Sequence, residues 1–335
     1  MLRKLFIIVI FFAICHPIFV NGQNVDYAGT SVANFLKIGM GAHASALGEA
    51  YVTSTQDATS MFWNAGAIAN IGSGSAVFST MDWLGTSQIT YFAVTVPLGV
   101  GTFGFDLDYF SSGDMEITTL QEQDGTGRFF NASDMQVGFA FARSMTDRFS
   151  VGLKAKYIRE ELAHATASTF AFDIGTIFIT NFLNDLRIGM TLTNFGGKMQ
   201  FDGRELSVIY PIPGSPSGKE VPAQLKTEAW ELPLYFRAGV STDIIRAKSF
   251  RLNTAYNILD SRDFKTRHQI GAEVEIMNIL ALRGGYRFNY SEAGLSAGVG
   301  VHVPVLGSSG VAFDYAYIDF GRFKDMHQFT LAVKF

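Results

Sequence analysis

The chain contains few of the residues from which catalytic and metal sites are built. None of its six histidines has a glutamate, a second histidine or a cysteine at the spacing of a zinc motif. Cys15 is the only cysteine. These residue types predict no metal and no cofactor, and we interpret His302 and His327 as ordinary strand residues.

Glycine- and serine-rich runs likewise lack the setting that nucleotide binding or nucleophilic catalysis requires. Gly39 and Gly41 follow no strand pattern and precede no phosphate-cradling helix pattern. The runs at 72–75 and 307–310 lack the strand-turn-helix context of a nucleophile elbow and are interpreted as turns. We therefore predict that the protein is not an enzyme.

A formal net charge of -4 and a pI near 5.9 give no reason to expect a nucleic-acid partner.

The N-terminus predicts export. Arg3 and Lys4 precede an apolar stretch at 5–15, which is too short to span a bilayer but suits a signal-peptide core. We expect a signal peptide at 1–22, cleaved near Gly22, so that the mature chain lacks cysteine and cannot form disulfides. The alternative is an interfacial anchor retained in the inner membrane.

From about residue 73 onward the sequence alternates with a period of two, in segments of about ten residues bounded by turn residues. In residues 134–142 the bulky side chains are Met135, Val137, Phe139 and Phe141, and the residues between them are small or polar. Fourteen such segments begin near residues 74, 88, 102, 134, 148, 167, 185, 233, 249, 267, 280, 294, 309 and 325. The pattern predicts strands with one apolar and one polar face.

A transmembrane barrel fits these strands better than a soluble sandwich. Fourteen strands are many for a sandwich, whereas an even count suits a bacterial barrel whose apolar face meets lipid and whose polar face lines the lumen. The polar faces carry charges of both signs, which favours an internal ion-pair network over a charge-selective pore. The acidic members are Asp106, Asp108, Asp173, Glu273, Glu275 and Asp314, and the basic members are Lys154, Lys156, Arg187, Arg237, Arg251, Arg283, Arg287 and Lys334.

The connections and the last strand agree with this topology. The two longest gaps, at 111–133 and 196–232, follow the third and seventh segments, as expected if both termini are periplasmic and long loops lie outside. The final alternating segment ends on Phe335 and resembles the C-terminal signal of outer-membrane barrels. We predict an all-β fold, a 14-stranded antiparallel transmembrane β-barrel in the cell outer membrane, in contact with outer-membrane lipid.

Residues 23–72 do not alternate and are rich in Ala, Gly, Ser and Thr. Ser54 and Asp57 predict the cap of a short helix that begins there. Since the segment is too short for a core of its own, we expect a partly helical plug inside or beneath the barrel formed by 73–335. A disordered periplasmic tail is the alternative, but it would leave Phe35, Tyr51 and Trp63 exposed.

The plug carries a family resemblance. Residues 35–42 (FLKIGMGA), 46–52 (ALGEAYV), 57–58 (DA) and 62–66 (FWNAG) resemble the N-terminal signature of the PorV/PorQ family, relatives of FadL-type channels. Residues 231–239 (ELPLYFRAG) resemble the start of a family barrel strand. The plug-motif residues are Gly39, Gly41, Gly48, Asp57, Trp63, Asn64 and Gly66. Ala65 stands where the family usually has Pro, which leaves this turn less rigid, and Glu49 stands where it often has Gly.

The resemblance implies a fourteen-stranded barrel with an N-terminal plug, associated with type IX secretion. We expect a non-enzymatic accessory barrel that docks translocon subunits or secreted cargo proteins and aids their surface attachment. The alternative is a FadL-like channel for long-chain fatty acids or other hydrophobic small molecules, with Phe62 and Trp63 along a path past the plug.

The long loop at 196–232 is the candidate partner surface. The loop holds half of the prolines of the chain and also contains aromatic residues. Proline lowers the entropy lost on ordering, and aromatic side chains are enriched at interfaces. The candidate contact residues are Tyr210, Pro211, Pro213 and Trp230. A rigid lid over the barrel mouth is the alternative role for the loop.

Overall fold

The computed structural model describes residues 29–211, 213, 220–305 and 309–335. The signal peptide predicted at 1–22, and the predicted start of the plug at residue 23, lie outside these residues and stay predictions.

Fourteen long antiparallel strands form the barrel. They are β1 (Ser75–Asp82), β2 (Gln88–Leu98), β3 (Gly101–Ser111), β4 (Ala132–Thr146), β5 (Phe149–Leu162), β6 (Ala165–Ile179), β7 (Arg187–Gly196), β8 (Tyr235–Arg246), β9 (Phe250–Ser261), β10 (Arg267–Ile276), β11 (Leu280–Phe288), β12 (Leu295–Pro304), β13 (Gly310–Ile318) and β14 (Met326–Lys334). Each begins within two residues of the position predicted from the alternation.

Every strand pairs with its neighbour along the chain, and β1 pairs with β14 to close the ring. In the closing pair Ser75 faces Lys334 and Thr80 faces Phe329. Because the ring is closed, no strand of the barrel leaves an unpaired edge in hydrocarbon. The prediction of a closed fourteen-stranded antiparallel barrel is therefore confirmed.

The two faces of the strands differ as the alternation predicts. Phe139 is 63% exposed on the outside of β4, whereas its neighbour Ala140 is 5% exposed and faces inward. The same contrast separates Phe103 from Asp106 in β3. An exterior of exposed phenylalanine, leucine and valine side chains is suited to lipid, while the charged and small residues face a filled interior.

The two longest connections lie at the same end of the barrel. We call this end the loop end; it carries the connections at 112–131 and 197–234. We call the opposite end the turn end; it carries the short links at 99–100, 147–148 and 277–279, together with the start of β1 and the end of β14. Long loops are external in outer-membrane barrels, which predicts that the loop end is the outer end.

The plug contains two short helices, α1 (Ala42–Ala46) and α2 (Ser60–Trp63), and 3-10 turns at Asn34–Lys37 and Ala65–Asn70. The helix predicted to start at Ser54 is absent from the described plug; residues there form turns, because Asp57 instead accepts a hydrogen bond from the backbone N–H of Thr59 (2.9 Å). In the described part of the chain, no helix has the length and apolarity needed to cross a membrane.

The plug runs through the barrel from one end to the other. The backbone N–H of Val32 donates to Glu231 (3.1 Å) in the 197–234 loop at the loop end. Farther along, Ala42 and Ser45 hydrogen-bond to Thr330 and Gln328 on the inner face of β14. The plug then leads into β1 at the turn end, so it occupies the lumen over its whole described length.

Candidate functional site

The turn after α1 seats the plug against one wall of the barrel. Gly48 has a positive φ of 62°, and a Cβ atom there would lie 2.8 Å from the backbone nitrogen of Tyr286. Across the contact, a Cβ on Gly285 would overlap the backbone of Leu47 and Gly48, and one on Gly271 would meet the Leu47 carbonyl. Only glycine permits so close a backbone approach. We call this contact the first seat.

A second seat lies on β5 and β6. The Asn64 amide donates to the backbone carbonyls of Val52 and Thr176, both at 3.0 Å, and its oxygen accepts from the N–H of Gly66. A Cβ on Gly66 would overlap the carbonyl of Gly175. The next residue of the plug, Ala65, is buried. The turn is therefore fixed by the Asn64 side chain, although proline is missing from it.

The remaining plug-motif residues hold the plug together. The indole N–H of Trp63 donates to the carbonyl of Met40 (2.9 Å). Gly39 lies against the Trp63 ring, and Gly41 lies against Thr59 with a φ of 90°. All seven plug-motif residues are buried. Trp63 is 1% exposed, so the path expected past Phe62 and Trp63 is closed in this conformation.

Two ion pairs and one histidine–carboxylate contact join the plug to the rest of the barrel. Lys37 pairs with Asp263 (2.6 Å), Glu49 pairs with Arg287 (3.0 Å), and the ring of His43 lies 2.9 Å from the carboxylate of Glu273. These partners lie on β10, on β11 and in the 262–266 loop. The plug is thus tied by charge to the wall of β10 and β11, beside the first seat.

Glu49 forms the densest of these contacts. Its carboxylate also accepts hydrogen bonds from Gln269 (3.2 Å) and from the hydroxyl of Tyr290 (3.3 Å). Burial, and then the nearby Glu49 carboxylate, raise the pKa of Tyr290 in the 289–294 loop to about 12, so the phenol keeps its proton and donates. Glu49 adopts a left-handed backbone with a φ of 67°, a conformation that glycine reaches without strain.

The predicted internal ion-pair network is present on both sides of the lumen. Arg283 pairs with Glu273 (2.7 Å) and Asp314 (2.5 Å). On the opposite wall Lys154 pairs with Asp106, and Lys156 pairs with Asp173 (2.8 Å). Pairing of buried charges offsets much of their desolvation cost.

Lys334 is an exception to the predicted network. It lies at the end of β14 and is exposed, because the last residues of the strand reach the rim of the turn end. Lys334 lies on the same face of β14 as the buried Thr330 and Ala332, so the predicted face is correct, but its side chain lies outside the buried network.

The 197–234 loop has a tied base and an exposed tip. At the base, Met199 and Trp230 exchange two backbone hydrogen bonds of 2.9 Å, and the Met199 side chain packs on the plug residues Phe35 and Leu36. The tip is a hairpin of Ser207–Pro211 and Glu220–Gln224. The loop thus covers the plug with its base while its tip projects.

Three of the four candidate contact residues lie at this tip. Tyr210 is 51% exposed, and Pro211 and Pro213 are exposed beside it. Trp230 belongs to the base, with its side chain 42% exposed. The exposed Ile209 adds to the tip surface, which is apolar for a loop outside the membrane.

A cavity of about 460 Å³ opens at the loop end, above the plug. Its lining combines apolar residues with charged residues of both signs. The large apolar residues include Met81, Trp83, Phe110, Ile318 and Phe320, the cations are Lys37, Arg267 and Arg287, and the carboxylates are Glu49, Asp134 and Glu292.

The model of the family described as "Type IX secretion system protein PorV" matches residues 21–212, more than half of the chain. The chain belongs to the PorV family. No curated protein matches at a significant level.

Solved structures with the same fold are FadL-family barrels. The Pseudomonas putida toluene transporter TodX is 12% identical, with 88% of this chain and 97% of that chain covered and a TM-score of 0.58. A FadL homologue of Pseudomonas aeruginosa is 12% identical, with 92% and 99% covered and a TM-score of 0.54. At 12% identity the similarity shows a shared fold and does not by itself show a shared function. This PorV-family chain is accordingly an outer-membrane barrel.

Sequence reasoning missed the residues that tie the plug to the wall. His43 was treated as an isolated histidine, and Glu49 only as a departure from the usual glycine. The one available signal was the position of Glu49 itself, since an acidic residue at a glycine position needs a compensating contact. In the described residues, no group of three histidine, cysteine or acidic side chains could hold a metal ion.

Proposed function

We propose that this PorV-family barrel is a non-enzymatic accessory component of type IX-like protein secretion, which docks a translocon subunit or secreted cargo at the outer surface. The observation that carries the proposal is the match to the PorV family model over residues 21–212. Export through a signal peptide at 1–22, cleaved near Gly22, is part of the proposal.

The closed lumen supports a docking role over passage of a protein through the barrel. The plug is seated on two walls and tied by two ion pairs and the contact between His43 and Glu273, so a bound protein has no open route through the barrel. In this proposal the protein therefore acts by binding its partner at the outer surface. The plug-motif residues, in this proposal, keep the barrel closed.

The tip of the 197–234 loop is the proposed contact surface. Tyr210 and Ile209 are more than half exposed, and Pro211 and Pro213 flank them. Aromatic and apolar anchors in a segment already stiffened by proline lose little entropy on binding. Trp230 at the base then supports the loop and marks the edge of the contact.

Deleting residues 207–224 tests the docking role. The base contact between Met199 and Trp230 remains, so the barrel should fold, migrate as a heat-modifiable band and reach the outer membrane. We expect the partners that co-purify with the intact protein in mild detergent to be lost. Deleting residues 118–125, the tip of the other long outer loop, is the matched control. Unchanged partner recovery after the first deletion would refute the surface assignment.

A channel for hydrophobic small molecules is the second candidate. The fold likeness to a toluene transporter and the half-apolar cavity above the plug favour it. Passage would require the plug to leave both seats. Uptake of a radiolabelled hydrophobic compound by cells with and without the protein distinguishes the candidates, because a docking barrel predicts equal uptake.

A further inference from the structure

The tip hairpin of the 197–234 loop presents two free strand edges. The N–H of Leu225 donates to the carbonyl of Leu206 (2.8 Å), directly beyond the paired Ser207 and Gln224. Hydrogen-bonded and non-hydrogen-bonded pairs alternate in an antiparallel ladder. The pair of Ser207 and Gln224, and every second pair after it, is therefore of the non-hydrogen-bonded kind. The backbone groups of these residues point away from the hairpin, along its edges.

One edge is interrupted by proline. In the second strand of the hairpin, Glu220–Gln224, the central outward position is Pro222. The proline ring stands in place of the N–H, so this position cannot donate to an added strand. Natural sheets use proline in this way to prevent pairing at an exposed edge. We call this the closed edge.

The other edge keeps its central backbone groups. In the first strand, Ser207–Pro211, the central outward residue is Ile209, which is 70% exposed. In the part of the chain that the structure describes, neither its N–H nor its carbonyl has a hydrogen-bond partner. The N–H of Ser207 already donates to the carbonyl of Arg204, and Pro211 has no N–H. This open edge thus offers one donor, at Ile209, and the carbonyls of Ser207, Ile209 and Pro211 as acceptors.

We propose that a partner protein adds one of its own β-strands to the open edge, with Ile209 at the centre. The inference rests on the proposed docking role of the tip and names what the partner presents there: an extended segment with unpaired backbone groups. Main-chain hydrogen bonds supply affinity in this mode of recognition, and side chains that alternate between the two faces supply specificity. Ile209 and Tyr210, as successive residues of the strand, provide one exposed apolar contact on each face.

A second copy of this chain fits the open edge less well than a foreign strand does. Two copies related by a twofold axis and centred on Ile209 would pair antiparallel, with Ser207 of one copy opposite Pro211 of the other. Pro211 has no N–H, and the N–H of Ser207 is committed, so hydrogen bonds would form only between the Ile209 residues. A strand of ordinary residues can also donate to the carbonyls of Ser207 and Pro211.

Amide hydrogen exchange of the complex isolated in mild detergent tests the mode of binding. In the first strand, the amides of Val208 and Tyr210 belong to hydrogen-bonded pairs of the hairpin, so Ile209 supplies the amide that a partner can newly protect. We expect its exchange to slow at least about tenfold in the complex. The amides of Glu220 and Gln224, on the closed edge, should keep their rates.

Two results of the exchange measurement would overturn the proposal. Unchanged exchange at Ile209 in the complex would show that the partner binds side chains without adding a strand. Protection of Ile209 in the purified protein without a partner, together with a doubled mass in detergent, would assign the edge to a second copy.

Substitutions at the two edges separate the backbone from the side chain. Ile209→Pro removes the central donor and leaves the hydrogen-bonded pairs of the hairpin intact. Ile209→Val is the matched control, because valine keeps the N–H and a branched apolar side chain. With the co-purifying partner immobilised, we expect Ile209→Pro to raise the dissociation constant at least about tenfold. Ile209→Val, and Glu220→Pro on the closed edge, should leave it nearly unchanged, and equal binding by the proline and valine variants would overturn the proposal.

The deletion of residues 207–224 distinguishes this inference from the docking role. If the deletion abolishes partner recovery while Ile209→Pro preserves the affinity, the docking surface is correct and the added strand is refuted. If no protein co-purifies with the intact chain, both are refuted.

Discussion

Removing the charge of Asp106 should destabilise the barrel strongly if its lumen is dry. Asp106 on β3 pairs with Lys154 on β5, and the two side chains are 0% and 1% exposed. Asp106→Asn keeps an oxygen that can accept from Gln136 but removes the carboxylate that contacts the Lys154 ammonium. Removing one partner of a buried pair costs about 3–5 kcal/mol, because the remaining charge stays desolvated.

Urea unfolding in liposomes, followed by tryptophan fluorescence, measures this loss. Glu161→Gln is the matched control, because Glu161 pairs with Arg159 at the surface of β5 with both side chains more than 40% exposed; such pairs contribute about 0–1 kcal/mol. The double variant Asp106→Leu with Lys154→Met should recover most of the loss. If Asp106→Asn costs no more than the control, water reaches Lys154 and the lumen is not sealed.

Two further substitutions test the seat and the lipid-facing surface. Gly285→Val should displace the turn at Leu47 and Gly48, since even a Cβ atom overlaps that backbone. The plug should then become sensitive to limited proteolysis. The control is Gly284→Val, where a Cβ atom meets open space, and it should leave the plug resistant. Phe139→Lys, at a 63% exposed outward position of β4, should lower the free energy of unfolding in liposomes by about 2–4 kcal/mol if the position lies near the bilayer midplane; an unchanged value would remove β4 from the lipid surface.

The barrel was predictable from the sequence because its signal is local. The alternation of Met135, Val137, Phe139 and Phe141 is repeated in strand after strand, and it fixes both the type of each element and the face that meets lipid. The turn residues between segments then set the start of each strand to within two residues. No contact between distant residues had to be known.

The contacts inside the barrel were less accessible, because they depend on register and on where the plug lies. Arg283, Glu273 and Asp314 were expected to face inward, but their pairing follows from the alignment of β10 to β13, which the alternation does not encode. The partners of His43 and Glu49 lie more than two hundred residues away in the chain. The wrong helix start at Ser54 has a local cause: the Asp57 side chain caps the N–H of Thr59, and the helix begins at Ser60.

Residues 29–72 close the lumen of the barrel. Single-channel recording of the mature chain in a planar bilayer tests this most directly. We predict a silent membrane, with no stepwise ion conductance at moderate voltage. Stable conductance steps from the unmodified protein would contradict the claim, because a barrel filled by a seated plug offers no continuous water path.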